Sequence, residues 1–242
     1  MKFISFLLYV LLLFTLSKQS YADYLQGCND PKYLEYVEKR FAYLELRNRR
    51  LLNETWKDYQ LSLSLNSNPY KVLNNLSRHI KYSAQYESIE IAELKIERAF
   101  EYADEMSTVQ QIAGDVYDGF SSENHYVDIA RAWIAYRTGN IEKTFSALQN
   151  SINNIDSALL GAFGPDFDLV RQLYADGYIE PVLAYIKKTE SFWTGKRADA
   201  LRSAWVSMIS AGCKVQFDSI DTIKAEQLGV SAINVQKALG LD

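Results

Sequence analysis

Proline and glycine are scarce in this chain of 242 residues, which contains 4 prolines and 11 glycines. No stretch is rich enough in proline, glycine and serine to resemble a flexible linker between tethered domains. The scarcity therefore favours a continuous array of helices over separate domains joined by linkers.

The motifs that mark common enzyme classes are absent from the sequence. It contains no Gly-x-Ser-x-Gly nucleophile turn, no His-Glu-x-x-His zinc motif and no Walker-type glycine loop. The only histidines are His79 and His125, and neither lies beside a sequence partner for catalysis, so a structural role is expected for His79. We therefore expect no catalytic residues, no cofactor and no metal site, although carboxylates from distant positions leave a hydrolytic pair open.

Basic residues are also fewer than acidic residues. Lysine and arginine number 26 against 30 acidic residues, which gives a net charge of −4. Binding to nucleic acid depends on neutralising phosphates, so a net-acidic chain without a basic run is not expected to bind it. The same argument disfavours electrostatic attachment to anionic lipid.

A long apolar run occurs only at the N-terminus. After Lys2, the segment from Phe3 to Leu16 is almost wholly apolar, but it is shorter than the ~20 residues that a membrane-spanning helix requires. The "SYA" at 20–22 fits the small-x-small rule for signal peptidase, which predicts a secretory signal cleaved after Ala22. A retained N-terminal anchor is the alternative. The chain is therefore expected to be exported.

Cysteine occurs only twice, at Cys28 and Cys213. In an oxidising compartment two such thiols are expected to form a disulfide, and two buried, unpaired thiols are the alternative. A further alternative comes from "LQGC" at 25–28, which resembles a bacterial lipobox and would place a lipid anchor on Cys28. Two distant cysteines do not predict a zinc site.

The rest of the sequence has helical periodicity and predicts an all-α fold. Asp30 is a good N-cap before Pro31, and apolar residues then recur at three- and four-residue steps. The "NSNP" at 66–69 is expected to end this first helix. Further on, "STVQ" at 107–110 resembles a capping box that opens a new helix, and "DGFSSENH" at 118–125 is predicted to be a loop.

We predict four regions along the chain. They are the signal peptide (1–22), an N-terminal region of long helices (23–120), a region of helix hairpins (121–217) and short capping helices at the C-terminal end (218–242). Three tryptophans that fall in the third region (133, 193 and 205) are expected to be packing anchors rather than ligand-binding residues.

A ten-residue pattern occurs twice in the third region. "GNIEKTFSAL" at 139–148 and "GYIEPVLAYI" at 177–186 share Gly-x-Ile-Glu followed by similar apolar positions. Each copy is predicted to join two helices through a glycine turn. The recurrence favours antiparallel helix hairpins stacked as a repeat array.

The unit at 132–151 resembles a tetratricopeptide repeat, with "GNIEKT" at the family's inter-helix turn and Thr144 where the family has alanine. Residues 129–217 resemble a family of exported bacterial helical proteins of tetratricopeptide-like character. The matching features are Gly139, "FGPD" at 163–166, "VLAY" at 182–185 and "FW" at 192–193. This resemblance implies stacked helix pairs with a concave face that holds peptides or protein segments, and it implies no reaction. It also implies a bacterial host, so the expected location of the exported chain is the periplasm.

The acidic stretch within "AFGPDFDLVRQL" (162–173) is interpreted as a helix start. Residues two apart do not share a helix face, so Asp166 and Asp168 make a poor catalytic pair. Asp166 is instead placed to be a helix cap, and Asp168 to interact with the helix dipole. On this interpretation, replacing Asp166 by alanine costs about 1 kcal/mol of stability. The expected function is a non-catalytic module that binds a protein or peptide in the cell envelope. The alternatives are a small-molecule-binding protein and an enzyme without a recognisable motif.

Overall fold

The computed structural model describes residues 27–113, 121–153 and 157–230, and over these residues the fold is all-α with no strand. Short 3₁₀ turns lie at Gly27–Asn29 and Thr189–Ser191. The α-helices in these ranges are α1 (Pro31–Ser64), α2 (Pro69–Tyr86), α3 (Ile89–Ala113), α4 (Ser121–Arg137), α5 (Ile141–Asn150), α6 (Ala158–Phe163), α7 (Asp168–Ala175), α8 (Ile179–Lys188), α9 (Lys196–Ser210) and α10 (Ile220–Gln227).

Several predictions concern residues outside these ranges. The signal peptide at 1–22, its cleavage after Ala22 and the first part of the "LQGC" match lie there, as does the chain beyond 230. The boundaries predicted for the four regions stay predictions. Within the described ranges, every helix is too short or too polar to cross a membrane.

The described residues belong to two compact units. One contains residues 27–40 and 200–230, and the other contains the described residues between Phe41 and Asp199. In the first unit a disulfide joins Cys28 to Cys213, with their Cα atoms 4.7 Å apart, so the predicted pairing is confirmed. A Cys28 sulfur engaged in this bond is not free to carry the thioether of a lipid anchor.

Hydrogen bonds and ion pairs add to the disulfide in this first unit. The hydroxyl of Tyr33 donates to the backbone carbonyl of Lys214. The guanidinium of Arg40 lies 2.7 Å from the carboxylate of Asp218. These contacts all join the first ten residues of α1 to the segment that follows α9, so the N-terminal end of the helix is held by the C-terminal part of the chain.

In the second unit, helices α2, α3 and α4 pack in antiparallel fashion around a shared apolar core, to which α1 contributes Tyr59. Helix α2 contacts both α3 and α4, and α4 contacts α5. The residues of this core that are buried are Tyr59, Val72, Leu73, Leu76, Ile80, Ala84, Ala92, Ile96, Ala99, Tyr102, Met106, Val127 and Ala130. Their three- and four-residue spacing on each helix is the periodicity that predicted an all-α fold.

The two glycine turns that share a sequence pattern also share a backbone geometry. Gly139 and Gly177 have φ angles of 75° and 92°, which glycine adopts without the steric penalty of a Cβ. In the first turn the N–H of Gly139 donates to the Tyr136 carbonyl at 3.0 Å, and the next N–H donates to the Ala135 carbonyl at 2.9 Å. The second turn repeats both bonds at 3.0 Å each. Both are Schellman motifs that end one helix and open the next.

Two predictions about helix boundaries are wrong. No helix begins at 107–110, because α3 continues unbroken from Ile89 to Ala113. Tyr102 and Met106, just before this segment, are buried in the shared core and fix the helix there. Helix α4 begins at Ser121, within the segment predicted to be a loop. Its polar residues Glu123 and His125 are buried and hydrogen-bonded, which the sequence pattern does not reveal.

Candidate functional site

The turn before α7 contains Asp166, whose carboxylate makes two different contacts. One oxygen accepts a hydrogen bond from the backbone N–H of Asp168 at 2.9 Å. The other pairs with the ammonium of Lys81 on α2, and the two side chains are 6% and 12% exposed. The N-cap position itself is Phe167, which makes no side-chain capping bond. Asp166 therefore supports the helix start from one residue earlier and also holds a buried lysine.

Burial and the surrounding charges shift the pKa of each member of this pair in opposite directions. Burial by itself would lower the pKa of Lys81, but the negative groups around it, with the Asp166 carboxylate first among them and Asp168 also contributing, together hold that pKa well above its usual value. Burial would raise the pKa of Asp166, but the charge and hydrogen bond of Lys81, together with the backbone N–H of Asp168 and with His125, hold that pKa below its usual value. Both groups are therefore charged at neutral pH, and each depends on the other.

His125 completes the network around Asp166. Its Nε2 accepts a hydrogen bond from the backbone N–H of Asp166 at 3.0 Å. Its Nδ1 must then carry the proton, which it donates to the Ser151 carbonyl at 2.8 Å. Burial, opposed by these partners, lowers the pKa of His125 to about 4. The imidazole is thus neutral and held at both nitrogens, which is typical of a structural residue.

His79 has a similar role elsewhere in the unit. Its Nε2 accepts from the Lys95 ammonium at 2.8 Å, and its Nδ1 lies 3.1 Å from the Thr55 hydroxyl. Burial, with a further contribution from Lys95, lowers the pKa of His79 to about 4. Lys95 in turn pairs with Glu87. The neutral imidazole links three helices by hydrogen bonds, in agreement with the structural role expected for it.

A cleft lies between α1, α2, α4 and α7, beside the Asp166 network. Its volume is about 350 Å³. Its floor is polar, because Asn48, Asp168 and Arg171 line the cleft and are only 2%, 7% and 8% exposed. The Asp168 carboxylate accepts from the Asn48 amide at 2.9 Å and from the Arg171 guanidinium at 2.8 Å. The cleft thus has a buried, hydrogen-bonded ion pair at its base.

Aromatic rings form the walls of the cleft. They come from Phe41, Tyr86, Trp133 and Tyr136. Burial raises the pKa of both tyrosines to about 12, so both hydroxyls are neutral at physiological pH. Trp133 and Tyr136 meet edge to face, with their ring centroids 5.7 Å apart. The sides of the cleft therefore present flat aromatic surfaces, and the two rings from α4 pack against each other.

Two further arginines lie at the rim. Arg49 pairs with Glu45 at 2.9 Å and lies 4.5 Å from the ring centroid of Tyr86. Arg137 donates to the backbone carbonyl of Ala84 at 2.7 Å. Within the described ranges, no carboxylate lies within ion-pair distance of Arg137. Three arginines and two carboxylates line the cleft, so its lining is net positive in a chain that is net negative.

The tryptophans expected to be packing anchors have two kinds of environment. Trp193 and Trp205 are only 5% and 1% exposed, and Trp193 lies against Gly164, where a Cβ would come within 2.7 Å of the ring. Trp133 packs against the core of α2, α3 and α4, and its ring also lines the cleft. Its indole N–H is buried and has no hydrogen-bond partner among the residues that the structure describes. Trp133 is thus both a packing residue and a cleft residue.

The sequence motifs did not reveal the cleft. Its residues come from four helices that are distant along the chain, and arginine and tyrosine at helical spacing look like an ordinary solvated face. Of the stretch 162–173, the residues Asp168, Arg171 and Gln172 line the cleft, and Asp166 does not. Cys28 and Cys213 belong to the other unit and form the disulfide. In the described part of the chain, no group of three or more histidine, cysteine, aspartate and glutamate residues is arranged to hold a metal ion.

Comparison with known proteins adds no assignment to this geometry. No protein-family model, no curated protein and no solved structure matches the chain.

Proposed function

We propose that this protein is a non-catalytic, exported binding module whose cleft receives a short peptide segment of a partner protein in the cell envelope. The observation that carries the proposal is the buried ion pair of Asp168 and Arg171 at the floor of an aromatic cleft.

A buried ion pair contributes little to the free energy of folding, so stability does not explain why this pair is kept at the floor of the cleft. The desolvation of two charges offsets most of their attraction, and replacing such a pair by packed apolar residues is often neutral or stabilising. Here the pair lies under an open cleft with aromatic walls, which is the composition typical of binding sites: apolar surfaces with a few fixed polar groups. Binding is therefore the role that best accounts for charges kept at the floor.

The tetratricopeptide-like resemblance supports a peptide ligand. The turns at Gly139 and Gly177 have the same backbone bonds, as expected for two copies of one helix-hairpin unit. Stacked hairpins of this kind present concave surfaces to extended segments. A repeat array over 121–217 is part of the proposal.

Export to the periplasm is also part of the proposal. The Cys28–Cys213 disulfide is of a kind that persists in oxidising compartments, and the "SYA" at 20–22 agrees with secretion.

The test is selection from a mixture of synthetic peptides that have both free and amidated C-termini. Purified protein is incubated with the mixture, and bound peptides are identified by mass spectrometry. Gln172, which lines the cleft, is replaced by tryptophan to fill it; Gln60→Trp on the exposed face of α1 is the matched control. We expect a peptide family that binds the wild type and the Gln60 variant but not the Gln172 variant. No selected peptide, or equal retention by both variants, contradicts the proposal.

A small-molecule ligand is the second candidate, and the volume of the cleft favours it. A volume of 350 Å³ falls at the lower end of the range found for small-molecule pockets. Thermal-shift measurements with a collection of metabolites test this candidate. A shift that is present in the wild type and lost in Gln172→Trp, together with no selected peptide, would favour it over the peptide.

A further inference from the structure

The cationic groups of the cleft differ in how far they are already neutralised. Arg171 at the floor is paired with Asp168, and Arg49 at the rim is paired with Glu45. Arg137 has a different environment: its guanidinium makes one hydrogen bond to a backbone carbonyl, that of Ala84, at 2.7 Å. A guanidinium has five N–H donors, so as far as the described residues are concerned most of the donors of Arg137 are available to an incoming acceptor.

The bond to Ala84 also fixes the direction of Arg137. Because one N–H is held by the end of α2, the planar fork is oriented before any ligand arrives, and less side-chain entropy is lost on binding. Carboxylates accept bidentate bonds from such a fork, and these charge-assisted bonds are stronger than neutral ones. The ring of Tyr136, one residue earlier on α4, and the ring of Tyr86 line the same cleft.

We infer that the cleft binds a ligand that joins a carboxylate to a flat apolar group, with Arg137 holding the carboxylate and the rings of Tyr86, Trp133 and Tyr136 holding the apolar group. This inference rests on the proposed binding function and names its ligand chemistry. Two sources supply that chemistry: the C-terminus of a peptide that ends in an aromatic residue, and a free aromatic carboxylic acid.

The experiment compares acids with their amides. The probes are a tripeptide ending in phenylalanine, the same tripeptide amidated, N-acetylphenylalanine and N-acetylphenylalaninamide. Binding to the full mature chain is followed by tryptophan fluorescence, and Trp133→Phe identifies the part of the signal that comes from the cleft. We expect both acids to bind at least about tenfold more tightly than their amides, since charged hydrogen bonds are lost with the charge. Tighter binding of the tripeptide acid than of N-acetylphenylalanine indicates a peptide C-terminus, and equal binding indicates that a small acid suffices.

Variants of arginine separate the carboxylate contact from a general charge effect. Arg137→Gln should lower the affinity for the acids at least about tenfold and leave the amides unchanged. Arg78→Gln, on the exposed surface of α2 and outside the cleft, should change neither. Amides that bind as tightly as the acids, acids that bind Arg137→Gln normally, or no binding by any probe would each overturn the inference. If the amides bind and Gln172→Trp abolishes that binding, the cleft remains a binding site and only the carboxylate assignment fails.

Discussion

Replacing Asp166 by asparagine tests the central structural feature of the second unit. Asparagine has nearly the same shape, and its amide oxygen can still accept the bond from the Asp168 N–H. What it removes is the charge that faces Lys81, an ammonium whose side chain is only 12% exposed and which lies 4.6 Å and 5.5 Å from the ring centroids of Tyr82 and Tyr126. The substitution therefore leaves a buried cation without its counter-ion.

The expected cost is set by that uncompensated charge. Breaking a buried ion pair by removing one partner costs about 3–5 kcal/mol, whereas loss of a helix cap costs about 1 kcal/mol. The cap value is the one that the sequence predicted for Asp166. We expect Asp166→Asn and Lys81→Met each to lower the free energy of unfolding by about 3 kcal/mol or more. The double variant should recover much of the loss, because it buries no unpaired charge.

Urea denaturation followed by circular dichroism measures these differences. The control is Glu54→Gln, which breaks the exposed Arg50–Glu54 pair on α1, whose side chains are 66% and 53% exposed; this variant should change the free energy of unfolding by less than about 1 kcal/mol. If Asp166→Asn loses about 1 kcal/mol or less, the aspartate is only a cap and the buried pair adds nothing. A double variant as unstable as the sum of the single ones would refute the coupling between the two charges.

Two further predictions concern stability. The disulfide between Cys28 and Cys213 closes a separation of 185 residues, so replacing both by serine should lower the free energy of unfolding by about 5 kcal/mol on the chain-entropy model. Thiol labelling of denatured, unreduced wild-type protein should find no free thiol, and two labelled thiols would contradict the bond. The second prediction concerns His79 and His125, whose folded pKa values of about 4 lie below the usual 6.5. Their contribution to stability is complete above about pH 6.5 and is lost as the pH falls through about 4, with a slope of about 1.4 kcal/mol per pH unit for each. His79→Gln should reduce the measured slope in this window by that amount, and an unchanged slope would show that the imidazole is protonated in the folded protein.

The helical character of the chain was predictable from the sequence because it depends on local patterns. Asp30 and Pro31 open the first helix and "NSNP" ends it, since capping and the steric effect of proline act over a few residues. The glycines at 139 and 177 were predicted to be turns for the same reason. The disulfide was also predictable. Two cysteines allow only one pairing within the chain, and thiols are expected to pair in an oxidising compartment.

The roles of individual polar residues were not predictable, because they depend on partners far along the chain. Asp166 looked like a cap and is also the counter-ion of Lys81, which lies 85 residues earlier. His125 was placed in a loop and is a buried helical residue that accepts a bond from Asp166. Periodicity identifies which face of a helix is apolar, but it carries no information about which polar residue of another helix faces it.

The sequence by itself determined the all-α class and several helix ends, because these follow from local backbone preferences, and it favoured the pairing of Cys28 with Cys213, because each cysteine has one possible partner in the chain. Only the tertiary structure decided the cleft. It brings Arg137, Asp168 and the aromatic rings together from helices that share no sequence motif. It also decides which arginines of the cleft pair with a carboxylate of the described residues. The reason is physical: burial and ion pairing are properties of the packed arrangement of side chains, and sequence spacing does not contain them.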